Sequence, residues 1–390
     1  MIVHFLVKSL TDTVSGLGPI LSARPERTDH AAHLAAASGW LLRSVDACGG
    51  QASSKGYRVL KGWMPPYPET TGYIIPTLFA LGERFGDRRH GDAAGRMGQW
   101  LTGIQRPDGG FSGYELGRQD DPDVFDTGMI LLGFNALLRR GGDDRTVAAA
   151  AKAARFLREA MDDRGAFVRH VSHQMLHCYN VRSAWALVAY GRIAGDAEAV
   201  AAGLANADWA LAQQRDNGYF AENGFKPGGN ANTHGTAYVM RGLFQIHQLT
   251  GRRDVLAAVE KAADQVAAIV EREGWIAAEL GPDWEFRSGH ICLTGCAQLA
   301  IIFLRLAAVT GNERYVPLAE RLIAQVAATQ TVRGEKRHSG AIAGSYPIQG
   351  AYAPFQYPNW ATKFFADALL ERERWHAGQR SLPEDELFAG

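Results

Sequence analysis

Thr127-Gly128-Met129-Ile130-Leu131-Leu132-Gly133-Phe134 is the stretch that decides the fold. It opens on two small or hydroxylated residues and then runs apolar on every face. Its opening recurs at Thr71-Gly72-Tyr73, Ser183-Ala184-Trp185, Thr236-Ala237-Tyr238, Thr294-Gly295-Cys296 and Trp360-Ala361-Thr362. Successive starts lie 56, 56, 53, 58 and 66 residues apart. A period of that length holds two helices and their loops, so the chain spells six helical hairpins.

Working outward, each apolar stretch is preceded by an Ala-rich amphipathic one: His30–Val45, Asp92–Gly103, Thr146–Met161, Ala197–Gln214, Asp254–Glu271 and Arg314–Gln330. Their apolar residues recur at three and four, as a half-buried helix requires. Turns such as Pro107-Asp108-Gly109-Gly110-Phe111 and Asp216-Asn217-Gly218-Tyr219-Phe220 follow, where Asp or Asn closes the turn and Gly takes positive φ. Each apolar helix stops about fifteen residues on, a length of roughly 22 Å, at Gly86, Gly141-Gly142, Gly195, Gly251 or Gly311. Six half-buried helices alternating with six fully buried ones predict two concentric rings, an all-α (α/α)6 toroid without useful strand content. An open superhelix is the alternative, disfavoured because the inner helices are too apolar to line a groove. The expected organisation is an N-terminal extension over 1–27, one toroid over 28–376 and a tail over 377–390.

Composition narrows the partners. Lys plus Arg and Asp plus Glu both number 41 among 390 residues, so no net basic charge points to nucleic acid. Four cysteines are too few for a disulfide framework in a chain this long. Met1–Leu10 lacks a basic segment before its apolar run, and Leu293–Thr310 carries Gln298 and Arg305. The expectation is a soluble, cytoplasmic protein with no membrane insertion. The sequence leaves its oligomeric state open.

In a toroid the N-termini of all inner helices open at one end, and here the loops before them are the long ones. Three clusters fill that end. His170 to Arg182 supplies His177 and Tyr179 as candidates for moving a proton, Asn180 to neutralise a carboxylate and Arg182 to bind an acidic sugar. Asn230 to Thr236 supplies Asn232, a good helix cap, and His234. Trp63 to Thr71 supplies Trp63, Tyr67 and Glu69 on a proline-stiffened segment. Trp284, Glu285, Arg287, His290, Tyr352, Tyr357 and Trp360 complete the candidate binding set, and Asp126 the catalytic one. A metal held by His170, His173 and His177 matches no recognised ligand spacing; no metal and no cofactor is expected.

Gln105-Arg106-Pro107-Asp108-Gly109-Gly110-Phe111 followed by Asp123-Val124-Phe125-Asp126 resembles the repeat of terpenoid-cyclase and protein-prenyltransferase toroids. In cyclases that start by protonation, that resemblance implies an acid at the position Phe125 occupies, and no zinc ligands of the prenyltransferase kind are evident. The architecture is also that of six-hairpin glycosidases, toroidal polysaccharide lyases and the helical domain of glucuronyl C5-epimerases. Tyr357-Pro358-Asn359-Trp360-Ala361 and Tyr67-Pro68-Glu69-Thr70-Thr71 look similar to tracts of uncharacterised bacterial toroid proteins linked to polysaccharide metabolism.

The leading expectation is a carbohydrate-active enzyme that removes the C5 proton of a uronate-containing saccharide, as a lyase or C5-epimerase does, with His177, Tyr179 or His234 moving the proton. The second is a six-hairpin glycoside hydrolase with a carboxylate pair drawn from Glu69, Asp108, Asp123, Asp126 and Glu285. A terpenoid-cyclase-like enzyme and a glycan-binding scaffold are the remaining readings.

Overall fold

The computed structural model describes residues 16–118, 120–334, 337–382 and 387–388; the Met1–Leu10 segment, Lys336 and Pro383–Glu386 lie outside them. Twelve long helices alternate between two rings. The outer ring is α1 (His30–Asp46), α3 (Arg88–Ile104), α5 (Asp144–Glu159), α7 (Ala197–Ala212), α9 (Arg253–Glu273) and α11 (Tyr315–Ala327). The inner ring is α2 (Pro68–Phe85), α4 (Val124–Arg139), α6 (Val181–Ala194), α8 (Thr233–Thr250), α10 (Leu293–Thr310) and α12 (Asn359–His376). Each inner helix packs on the next, and α12 returns to α2. The ring is closed, so the superhelix alternative falls away.

The recurring phrase has a packing cause. A Cβ on Gly72 would lie 2.5 Å from Ile130 Cα of α4, one on Gly128 2.7 Å from Ser183 Cα of α6, and one on Gly295 2.8 Å from Thr233 Cγ2 of α8. The small residue is where one inner helix touches its neighbour. The hydroxyl before or after it ties down the preceding loop: Thr71 Oγ1 accepts from Ser53 N at 3.0 Å, Thr127 Oγ1 from Phe111 N at 3.0 Å and Thr362 Oγ1 from Ile342 N at 2.9 Å. Thus the motif fixes both the ring spacing and the height of the mouth loops.

The turns follow the sequence reading. Asp108 Oδ1 accepts from Gly110 N, Asp162 Oδ1 from Arg164 N and Asn217 Oδ1 from Tyr219 N, all near 3 Å. Gly86, Gly195, Gly251 and Gly311 take left-handed φ and end their inner helices. Leu293–Thr310, long and apolar enough to cross a membrane, is the inner helix α10, with every residue from Leu293 to Ala307 buried.

Two features add detail to the expectation. The mouth loops form small antiparallel ladders, among them Gly56–Arg58 pairing with both Gly62–Trp63 and Gln356–Pro358. These ladders satisfy loop backbone groups that a buried mouth would otherwise leave unpaired. The second ladder joins first and last repeats, and Asn359 reinforces the seam by donating to Ser53 Oγ at 3.1 Å and accepting from Trp40 Nε1 at 2.8 Å. The flanks are also docked. Ile20 is fully buried, while Leu387 and Phe388 offer their carbonyls to Trp185 Nε1 and Asn135 Nδ2 at 3.2 and 3.4 Å.

Candidate active site

At the N-terminal end of the inner ring lies a cavity of about 260 Å³ lined by Lys55, Tyr67, Glu69, Phe125, Asp126, Ser172, Tyr179, Phe225, His234, Gly235, Tyr238, Tyr352 and Trp360. Five of the six inner helices contribute a residue at or just before their first turns, or supply the loop beside it.

Two carboxyls share this space. Pro68 starts α2 and puts Glu69 in its first turn, while Asp123 caps α4 by accepting from Phe125 N at 2.7 Å and Asp126 N at 3.2 Å, which sets Asp126 facing inward. Tyr67 lines the same cavity, and burial, then the charges of Asp126 and Glu69, push its hydroxyl well above the usual phenol range. Burial pushes the Glu69 carboxyl up to about 7, with Lys55 and the Tyr67 hydroxyl pulling the other way. Asp126 is driven well above the usual carboxylate range by burial first, then by the charges of Glu69 and Asp123. Its Oδ1 has no hydrogen-bond partner among the described residues. Burial and mutual repulsion both oppose ionisation of the two carboxyls together, because a second charge would join the first in one buried cavity.

The walls are aromatic. Phe125, which replaces the acid of the cyclase motif, meets Tyr179 edge-on at 5.2 Å and Tyr238 at 5.0 Å. Trp360 Nε1 donates to the Tyr352 hydroxyl at 2.9 Å. Lys55 lies 4.6 Å above the Tyr67 ring and pairs with Glu115 Oε1 at 3.0 Å, so its ammonium is held at the rim. Beneath the floor, buried Arg182 sits 4.8 Å from the Tyr238 ring and 5.2 Å from Phe364.

The other sequence candidates go elsewhere. His177 lies behind the wall: it stacks on Tyr179 at 4.6 Å and its Nε2 meets the Ser172 carbonyl at 2.7 Å. The His170–Gln174 loop takes left-handed φ at His170, His173 and Gln174, and it delivers Ser172 rather than a histidine to the cavity. Asn180 is buried at the start of α6, off the cavity lining, and Arg182 supports from below, out of reach of a sugar. Asn232 caps α8, accepting from His234 N at 2.9 Å. Trp63 packs 4.4 Å from Trp40, and Tyr357 stacks on His338 at 5.1 Å. Trp284 buries its indole against Asn217, donating to that carbonyl at 2.9 Å, while Glu285 and Arg287 pair on the surface of the same turn. His290 abuts Gly350 outside the cavity.

Among the other proposed carboxylates, Asp108 pairs with Arg106 at 3.3 Å and Asp123 is occupied by capping and by Ser172 Oγ at 2.7 Å. Among the described residues no group of three His, Cys, Asp or Glu stands ready for a metal ion. Sequence reading missed Lys55, Phe125, Ser172 and Tyr238 as lining residues. Tyr238 carried a signal, since it stands one turn after His234 on the same helix face.

With twelve long helices among the described residues in two closed rings and the cavity at the inner N-termini, the fold is an (α/α)6 toroid of the six-hairpin kind. No protein-family model matches the chain, and no curated protein matches it. Among solved structures it is similar to the unsaturated glucuronyl hydrolase of Bacillus sp. GL1, responsible for the degradation of glycosaminoglycan, with 18% identity and a TM-score of 0.71 over 89% of this chain and 97% of that one. An unsaturated glucuronyl hydrolase specific for heparin matches with 16% identity and a TM-score of 0.69 over 93% and 99% of the two chains. A variant of the Streptococcus agalactiae enzyme complexed with dGlcA-GalNAc6S matches with 12% identity and a TM-score of 0.62 over 91% and 94%.

Proposed function

We propose that the protein is a glycoside hydrolase that releases a terminal, unsaturated uronyl residue from an acidic oligosaccharide. The observation that carries this reading is the pair Glu69 and Asp126, buried together in one cavity that Tyr67 also lines. The fold likeness to unsaturated glucuronyl hydrolases supports the substrate class.

The cavity has room for about one sugar ring with aromatic faces around it, which suits attack on a chain end. Asp126, its carboxyl raised well above the usual carboxylate range by burial, serves as the acid that donates to the reacting sugar. Glu69, titrating about 7, accepts a proton from the water that adds. The reaction consumes one water and yields the free uronyl sugar and the shortened saccharide, with the pair's proton count restored. Lys55 at the rim offers a cation to the substrate carboxylate.

Of the three residues the lyase or epimerase reading offered to move the proton, His177 lies behind the wall while Tyr179 and His234 line the cavity. The carboxylate pair and the likeness to glucuronyl hydrolases favour hydrolysis over that reading. A cyclase needs an apolar cavity, and this one holds Lys55, Glu69 and Asp126. One experiment separates hydrolase from lyase by the sign of its signal. Given unsaturated uronyl disaccharides, the hydrolase erases the ultraviolet absorbance of the C4=C5 bond, whereas a lyase given saturated uronate polymer creates it. Growth of absorbance, or no change across a panel of unsaturated disaccharides, would overturn the assignment.

A further inference from the structure

His234 stood among the sequence candidates for moving a proton, and its surroundings give it a different task. Its Nδ1 is 2.7 Å from Gln298 Nε2, an amide that is itself fully buried on α10. An amide nitrogen only donates, so Nδ1 must be the lone-pair nitrogen and Nε2 must carry the hydrogen. Turning the amide over would reverse the tautomer. It would also leave a buried NH2 with no acceptor in place of a carbonyl with no donor, and orphaned buried N–H groups are the rarer of the two. The ring is clamped in place, 4.1 Å from Tyr238, 5.4 Å from Tyr352 and 6.2 Å from Phe364.

Nε2 has no hydrogen-bond partner among the described residues, and the residue lines the cavity. We infer that His234 is a permanently neutral hydrogen-bond donor, its Nε2–H held toward a substrate oxygen by Gln298, and that it neither takes up nor releases a proton during turnover. Gln298 is its positioning residue. Burial, and then the Arg182 guanidinium beneath, hold the imidazole down to about 3, so the cation does not form across the working pH range. The charged groups facing the cavity agree with that division of labour: Glu69, Asp126 and Lys55 already supply the titrating chemistry. A neutral imidazole adds to them a donor that does not change with pH. The oxygen it meets is defined by the reading proposed above, but the tautomer is independent of it.

Two measurements keep those claims apart. Nitrogen-15 NMR of the full-length protein labelled at histidine, with His234 assigned by its loss in H234Q, reads the tautomer without substrate. The expected spectrum has a pyridine-like Nδ1 and a pyrrole-like Nε2 that do not titrate between about pH 5 and 9. A protonated Nδ1, or a resonance that titrates in that range, overturns the inference whatever the enzyme's substrate. Kinetics on an unsaturated uronyl disaccharide then test the donor role. H234A should lose about 10² to 10³ in kcat/KM, the usual cost of one preorganised donor. H234Q, which restores an N–H near the Nε2 position, should recover most of it with an unchanged pH profile. Q298E, which accepts from Nδ1–H, should flip the tautomer, introduce a titrating imidazole into the spectrum and depress kcat/KM. Equal losses in H234A and H234Q, with the flat titration intact, would refute the donor role while leaving the tautomer standing.

Discussion

Glu69 and Glu371 are buried to the same extent, each 7% exposed, and the toroid treats them in opposite ways. Glu69 stands at the mouth beside a second carboxyl, and burial lifts it to about 7. Glu371 stands on α12 toward the far end, where burial also acts upward but Arg305 at 3.2 Å and Arg374 at 2.7 Å outweigh it and hold it at about 2. The far end pairs its other charges too, as in Arg84 with Glu373 and Arg140 with Glu83. One end spends burial on neutralising charge and the other on setting up an uncomfortable pair. Burial alone therefore does not mark a functional carboxylate; burial without a cation in contact does.

That contrast can be broken at either end, and the largest effect belongs to the mouth. D126N removes the acid and should cut kcat by about 10² to 10⁴, with binding of an unsaturated disaccharide by calorimetry retained. Next comes E371Q at the far end. It leaves Arg305 and Arg374 without their carboxylate and should cost about 3–5 kcal/mol of stability in urea unfolding, with kcat and the pH optimum unchanged. A shifted optimum in E371Q would mean that the two ends are coupled.

The third prediction concerns stability at the mouth. Glu69 carries a raised folded value, so its folded form binds protons more tightly than the unfolded chain does. Stability is consequently lost as pH rises from about 4.5 to about 7 and stays lost above. E69Q should recover about 3 kcal/mol at alkaline pH and nothing near pH 4, while losing activity. Glu371 works in the other direction: its contribution is complete above about 4.5 and lost as pH falls toward about 2. E69Q should also move the alkaline limb of the rate profile of any residual activity to lower pH, since the Glu69 charge helps hold Asp126 protonated. The smallest effect is that of K55M, which removes the cation lowering Glu69 and should raise the acid limb by less than about one pH unit, with KM rising more than kcat falls.

Much of this was legible in the chain because the repeat states it. The small residue at 72, 128 and 295 records a helix contact, and Thr71 and Thr127 beside the first two record a loop height. Counting back a few residues from those phrases places Tyr67, Glu69, Asp126 and His234 at one mouth, with Trp360 opening the last phrase there. The repeat does not state which way a loop side chain turns. Trp63, Trp284 and Tyr357 are aromatic residues on mouth loops, yet each is used to plug a loop against its own repeat or the closing seam. Lys55 reaches the rim only because the Gly56–Trp63 hairpin folds back beside α2, a pairing with the distant Gln356–Pro358 that no local signal announces. His177 drew attention by its neighbours in sequence, whereas Ser172 was the residue the loop delivered.

The central claim is that the mouth pair holds a proton at neutral pH and the far-end carboxylate does not. Infrared difference spectroscopy of the carboxylic-acid C=O stretch tests it without a substrate. The account predicts a protonated-carboxyl band near pH 7 that is lost or strongly reduced in D126N, altered in E69Q and unchanged in E371Q. No such band in the wild type, or a band that survives D126N and disappears in E371Q, would contradict it.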